Sequence, residues 1–174
     1  MTKETMRIFR AADAPVHRSP PDAVKVAESS LPGVARATEA GLKDGYVLKL
    51  LFEAPGFALH YAWFKPNYLL NRHSHDLAGL YYIIAGSMQM GAERLGAGDG
   101  IYVPADTTYA YTVGPEGLEI LEFRHEAHFK TLVSGASPAF WERTLATIAA
   151  NRETWLTAEP PGPARLKATV PADA

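Results

Sequence analysis

Two histidines one residue apart, in Asn71-Arg72-His73-Ser74-His75-Asp76, are the residues of this chain best suited to chemistry. They stand just before the apolar run Leu80-Tyr81-Tyr82-Ile83-Ile84. On an extended strand, side chains at i and i+2 share a face, so a His-x-His aims two imidazoles at one point. Neutral imidazole suits zinc, copper, iron and nickel, and two such rings are half or more of a first-row metal site. A lone His-x-His is ordinarily a pair of solvated loop residues; the strand context here favours the ligand reading. Three further residues can complete the set: His60 on the preceding apolar segment, and Glu122 and His125 at the end of a later one. An inward-facing Glu122 needs a counter-charge or a bound cation, because a lone buried carboxylate is costly. Asp76 directly follows His75 and therefore points to the opposite face.

Strands must position these residues. Tyr46 to Glu53 and Phe57 to Phe64 read as two strands joined by the turn Ala54-Pro55-Gly56, and Leu118 to His125 reads as another. Glycine-bearing connections at Ala85-Gly86-Ser87, Gly91 to Arg94 and Gly96 to Gly100 separate the strands between them. This spacing predicts an all-β sandwich or barrel over 46–128. Residues 1–45 read as an N-terminal arm packing on the barrel or on a second subunit. Met6-Arg7-Ile8-Phe9 is an edge strand in this reading, and Pro15, Pro20 and Pro21 break regular structure. In 129–174, Ser137-Pro138 reads as an N-cap and first helical residue, and Trp141, Leu145, Ile148, Arg152 and Trp155 recur at helical steps. A flexible tail is expected from Pro160. Alternation puts Tyr109, Tyr111 and Val113 on one face, Tyr81 and Ile83 with Gly79, and His60 with Ala62 and Phe64. An aromatic interior around a histidine-bearing centre is the profile of a small-molecule pocket.

The segment around the histidines resembles the cupin superfamily, small metal-binding β-barrels with two sequence motifs. His73 and His75 stand as the His-x-His of the first motif and Gly86 as its closing glycine; Gly98 and Pro104 stand at the interval of the second. Four positions depart from the pattern. Asn67 stands for the opening glycine, Gly79 for the glutamate ligand, Asp106 for an inner glycine and Tyr109 for the second motif's histidine ligand. The resemblance covers about residues 46 to 125 and implies a single jelly-roll barrel with an N-terminal arm and a C-terminal helix. It also implies a homodimer and a divalent or ferric first-row metal ion: iron first, with zinc, nickel or manganese as alternatives. His73 and His75 would be metal ligands. Tyr109 would be a third ligand as a phenolate, which suits ferric iron, or an acid–base hydroxyl, with Tyr81 a second acid–base group. A tyrosine serves that way only if its pKa falls well below about 10, a shift that a nearby cation favours.

Composition narrows the function. The chain has 174 residues, 47% of them hydrophobic and 21% charged, which fits one globular domain. Its formal net charge is -2 and it shows no basic block, so neither nucleic acid nor an anionic membrane is an expected partner. There is no signal-peptide pattern and no apolar run of membrane-spanning length, so a cytoplasmic protein is expected. The absence of cysteine excludes disulfide scaffolds, thiolate metal sites and cysteine nucleophiles together. Two functions follow. One is a metal-dependent cupin enzyme acting on a small organic molecule with an aromatic or flat apolar body, by a dioxygenase-type or related lyase or isomerase reaction. The other is a non-catalytic small-molecule-binding or sensor cupin that has lost part of its metal site.

Overall fold

Along Gly79–Met90 every second residue from Gly79 to Ser87 is buried, with Leu80 and Tyr82 exposed between them. Period-two alternation of this kind marks a strand with one face on a core. The computed structural model describes residues 5–17, 20 and 22–162. Its elements are β1 (Val24–Val26), α1 (Leu31–Glu39), β2 (Tyr46–Ala54), β3 (Phe57–Phe64), β4 (Leu69–His75), β5 (Gly79–Met90), β6 (Glu93–Gly96), β7 (Gly100–Val103), β8 (Tyr109–Arg124), β9 (Thr131–Val133) and α2 (Pro138–Thr157), with short 3-10 turns at Glu28–Ser30 and Leu42–Gly45.

The long strand β8 organises the sheet. One edge pairs with β4 through Thr112 and Tyr109 and then with β3 through Leu118 to Arg124, while the other runs antiparallel to β5. Register shifts at Ile83/Ala85 and Gly86/Met88 bend β5 around β8, the way bulges curl a sheet. The product is a curled, all-β jelly roll with a C-terminal helix. Ile83, Leu118, Ile120 and Met88, each at most 2% exposed, form its centre. Glycine is obligatory at Gly86, where φ is 77° and a Cβ would collide with the Gly117 carbonyl. Asn67 and Asp106, with φ of 62° and 58°, are the non-glycine residues with left-handed backbone among the described residues. Asn and Asp tolerate that region best after glycine. Both replace motif glycines, so the backbone requirement persists where the residue has changed.

One end of the barrel is closed by helices. Ser137 caps α2, its Oγ accepting from Phe140 N at 3.2 Å. Trp141 lies on α1 where only Gly33 leaves room, and Trp155 packs on Tyr68 and donates from Nε1 to the Pro66 carbonyl at 2.8 Å.

Several expectations are corrected here. Met6 to Phe9 form no strand. The edge of β2 is met instead by a single bridge from Val16 to Lys49 and by Phe9, whose ring sits 5.7 Å from that of Phe52. The sheet also extends past 46–128, because β1 and β9 form a parallel pair on the β4 edge. Pro160 to Gly162 fold back on the sheet, Gly162 N donating to buried Glu119, which also accepts from Tyr61 OH at 2.6 Å. Pro21 and the remainder of the tail expected from Pro160, residues 163–174, lie outside the described residues. Among the described residues no helix is long and apolar enough to cross a membrane.

Candidate functional site

At the opposite end of the barrel from α2, β4 lies between β8 and β9, with His73 opposite Tyr109 and Val133, and His75 opposite Thr131. The two imidazoles come together as alternation requires, with ring centroids 4.9 Å apart at 74°. The Tyr109 ring lies 4.4 Å from His73 and 6.1 Å from His75, and Phe129 stands edge-on to His75 at 4.8 Å. His73 Nδ1 is 2.9 Å from the Asn71 carbonyl, which only accepts. The ring proton is therefore on Nδ1, leaving the Nε2 lone pair free. His75 Nδ1 lies 3.1 Å from Thr131 Oγ1, a hydroxyl that either donates or accepts, and the ring also bonds the Lys130 backbone. Burial lowers the pKa of both rings, with Arg124 adding to the effect, and brings His75 to about 3. Both imidazoles are neutral at physiological pH.

Arg124 is the residue that sequence reasoning missed. Its side chain is fully buried at the end of β8, donating from Nη1 to the Leu77 carbonyl at 2.9 Å and from Nη2 to Tyr81 OH at 2.5 Å. Glu122 Oε2 lies 3.5 Å from Nη2, and the guanidinium stands 4.2 Å from the Phe129 ring centre. Tyr81 OH is in turn 2.8 Å from Tyr109 OH. A signal was present in the sequence. Glu122 needed a counter-charge, and Arg124 two residues on shares its face of the strand.

The remaining sequence candidates sort clearly. His60 faces inward, but its Nε2 is turned to the Ala127 carbonyl at 3.1 Å, and the Phe129 ring contacts both it and His75. Its pKa is pulled down to about 4, first by burial and then by His17. His125 lies past the end of β8, with a side chain 57% exposed and 3.8 Å from Glu126. It does not reach the site. Glu122 is buried and directed to Arg124; burial raises its pKa and Arg124 opposes the shift. The lowered pKa that acid–base work by Tyr81 or Tyr109 requires is not found in the metal-free chain. Burial raises both, and Arg124 offsets this at Tyr81 only in part. In the metal-free protein both phenols therefore keep their protons at neutral pH.

A metal ion of the kind the fold implies meets half of a ligand set here. His73 and His75 offer two imidazoles, but Gly79 has no side chain to supply the carboxylate. Among the described residues no three His, Cys, Asp or Glu side chains are grouped to hold an ion. These residues do not fit a complete metal site. Two surface depressions lie elsewhere, one of about 410 Å³ along Glu53 to Gly56 and His125 to His128, the other between Ala40 and α2.

No protein-family model matches the chain. No curated protein matches it at a significant level. Among solved structures it is similar to the polyketide cyclase RemF from Streptomyces resistomycificus, at 18% identity and a TM-score of 0.51, over 83% of this chain and 99% of that one. It is also similar to KdgF from Halomonas sp., at 22% identity and a TM-score of 0.41, over 47% of this chain and 82% of that one. An RmlC-like cupin from Shewanella frigidimarina matches at 17% identity and a TM-score of 0.42, over 56% and 82% of the two chains. At these identities the likeness is one of fold. With β5 curled against β8 and left-handed backbone at the motif corners, the chain has the curled jelly-roll fold that cupin-type structures share.

Proposed function

We propose that this chain is a cupin enzyme that moves a proton on a small organic molecule, in an isomerase- or lyase-type reaction. The carrying observation is a neutral acceptor beside a polarised donor: His73, with a free Nε2, next to the Tyr109 hydroxyl at the end of a chain from Arg124. Arginine only donates, so Nη2–H points at the Tyr81 oxygen. Either hydroxyl of the Tyr81–Tyr109 pair can donate to the other; with a ligand bound, Tyr81 O–H donates to Tyr109 in this reading, and the Tyr109 hydrogen goes to the ligand. A cation at the head of such a chain strengthens each hydrogen bond along it.

A substrate with a carbonyl or carboxylate oxygen beside an acidic C–H suits this arrangement. Its oxygen takes the Tyr109 hydrogen bond and its C–H faces Nε2 of His73. As the base removes the proton, charge grows on the oxygen, where Tyr109 and the Arg124 charge stabilise it. Return of the proton to a neighbouring carbon completes an isomerisation; departure of a β-substituent completes an elimination. High phenol pKa values help, since a donor must keep its proton at neutral pH.

A non-catalytic binding protein is the second reading, and the His75 pKa of about 3 favours it. So weak a base accepts a hydrogen bond more readily than a proton. Deuterium exchange in heavy water, followed by NMR on a panel of small keto acids and hydroxy ketones, separates the two. Wild-type protein is expected to exchange the proton next to the carbonyl of at least one compound. His73→Ala and Tyr109→Phe should each slow that exchange by roughly 10²- to 10⁴-fold. Wild-type protein that shifts a compound's resonances but exchanges no proton is a binding module.

A further inference from the structure

Position 79 is where the resemblance places a carboxylate ligand, and it is glycine. A Cβ built on Gly79 would lie 2.9 Å from Arg124 Nη1 and 3.0 Å from Tyr81 Cε2. Distances of that kind leave no room for a glutamate stem while Arg124 keeps its place. The glycine and the arginine are thus a matched pair, coupled across the sheet from β5 to the end of β8.

Arg124 is also held too firmly to swing aside. Its two terminal nitrogens reach the Leu77 carbonyl, Tyr81 OH and Glu122, and its plane lies between the Tyr81 and Phe129 rings at 5.4 and 4.2 Å. Nothing in this arrangement is left for solvent to loosen, since the side chain is 0% exposed. The one carboxylate in the centre, Glu122, is directed to Arg124 and lost as a metal ligand. A divalent ion seated on the two histidines would lack an anionic third ligand and would stand near a fixed positive charge.

We infer that the Arg124 guanidinium, seated in the space that Gly79 vacates, takes over the electrostatic role of a cupin metal and excludes first-row metal ions from the His73–His75 pair. This deepens the proton-transfer reading by assigning its cation. It is tested separately, because metal uptake is read with no substrate present.

The test is calorimetric titration of zinc(II), and of iron(II) without oxygen, into wild-type protein and Gly79→Glu/Arg124→Ser, with folding checked by circular dichroism. Wild-type protein is expected to take up no stoichiometric ion. The double variant should bind one equivalent with affinity higher by roughly a hundredfold, the scale on which neighbouring groups tune metal sites, and His73→Ala in that background should abolish the gain. If the double variant does not fold, Arg124→Gln, which keeps a donor for the Leu77 carbonyl, becomes the readout, with a gain of roughly tenfold. One equivalent of zinc on wild-type protein, lost in His73→Ala, overturns the inference. So does a folded variant that binds metal no better than wild type.

Discussion

At the end of the barrel closed by α1 and α2, Trp141, Tyr68 and Trp155 are 4%, 3% and 1% exposed. At the other end the aromatic residues Tyr109 and Phe129 are only half-buried, as is His75, and Nε2 of His73 keeps a free lone pair. Aromatic rings run from one end to the other, Tyr68 touching Phe64, Phe64 touching Tyr111, and Tyr111 stacking on Tyr109. The same residue type thus does two jobs. Where rings meet helices they exclude water and hold the fold. Where they meet histidines and a buried arginine they hold polar atoms in a hydrogen-bonded chain.

Truncation at the closed end should expose the difference most strongly. Trp155→Ala is expected to cost about 3–5 kcal/mol in denaturant unfolding and to leave the histidine resonances unchanged. A shift of the His73 signals in that variant would mean that the two ends are not independent.

At the open end, Arg124→Met strands Glu122 as a buried charge and should cost about 3 kcal/mol near neutral pH. The loss should shrink on acidification, because Glu122 already has a raised pKa and can take up a proton. A penalty that does not change with pH would point to packing rather than charge.

Acid sharpens the contrast further. His60 and His75 have folded-state pKa values of about 4 and about 3, below the ordinary 6.5. The unfolded chain therefore binds their protons first. Their contribution is fully present above pH 6.5 and is lost as pH falls through about 4 and then about 3. Urea midpoints should fall across this range, and less steeply in His60→Gln. Trp155→Ala should lower the whole curve without changing its slope.

The smallest effect is expected at the corners. Asp106→Gly should be nearly neutral, while Asp106→Val should cost about 1–2 kcal/mol, since a β-branched residue suits left-handed backbone poorly.

Those corners show what sequence could reveal. Asn67, Gly86, Gly98 and Asp106 follow from local backbone geometry, which the residue itself must satisfy, so the motif spacing placed them correctly. The His73–His75 juxtaposition was legible for the same reason, being a property of one strand. Arg124 was not read, because its approach to Gly79 depends on the register of β5 against β8. The tyrosine pKa direction was not legible either, because it turns on burial, the larger effect at both rings, which one sequence does not give. The three-residue pair of β1 and β9 carries too short a pattern to read, and Met6 to Phe9 has a strand-like composition but joins no ladder.

Histidine nitrogen NMR on metal-free wild-type protein between pH 8 and pH 5 bears most directly on the centre described here. His75 should remain uncharged throughout, and His73 should titrate below the ordinary imidazole value, its neutral form carrying the proton on Nδ1 and an unprotonated Nε2. Rings that charge near the ordinary imidazole value of 6.5, or a His73 proton found on Nε2, would contradict the account.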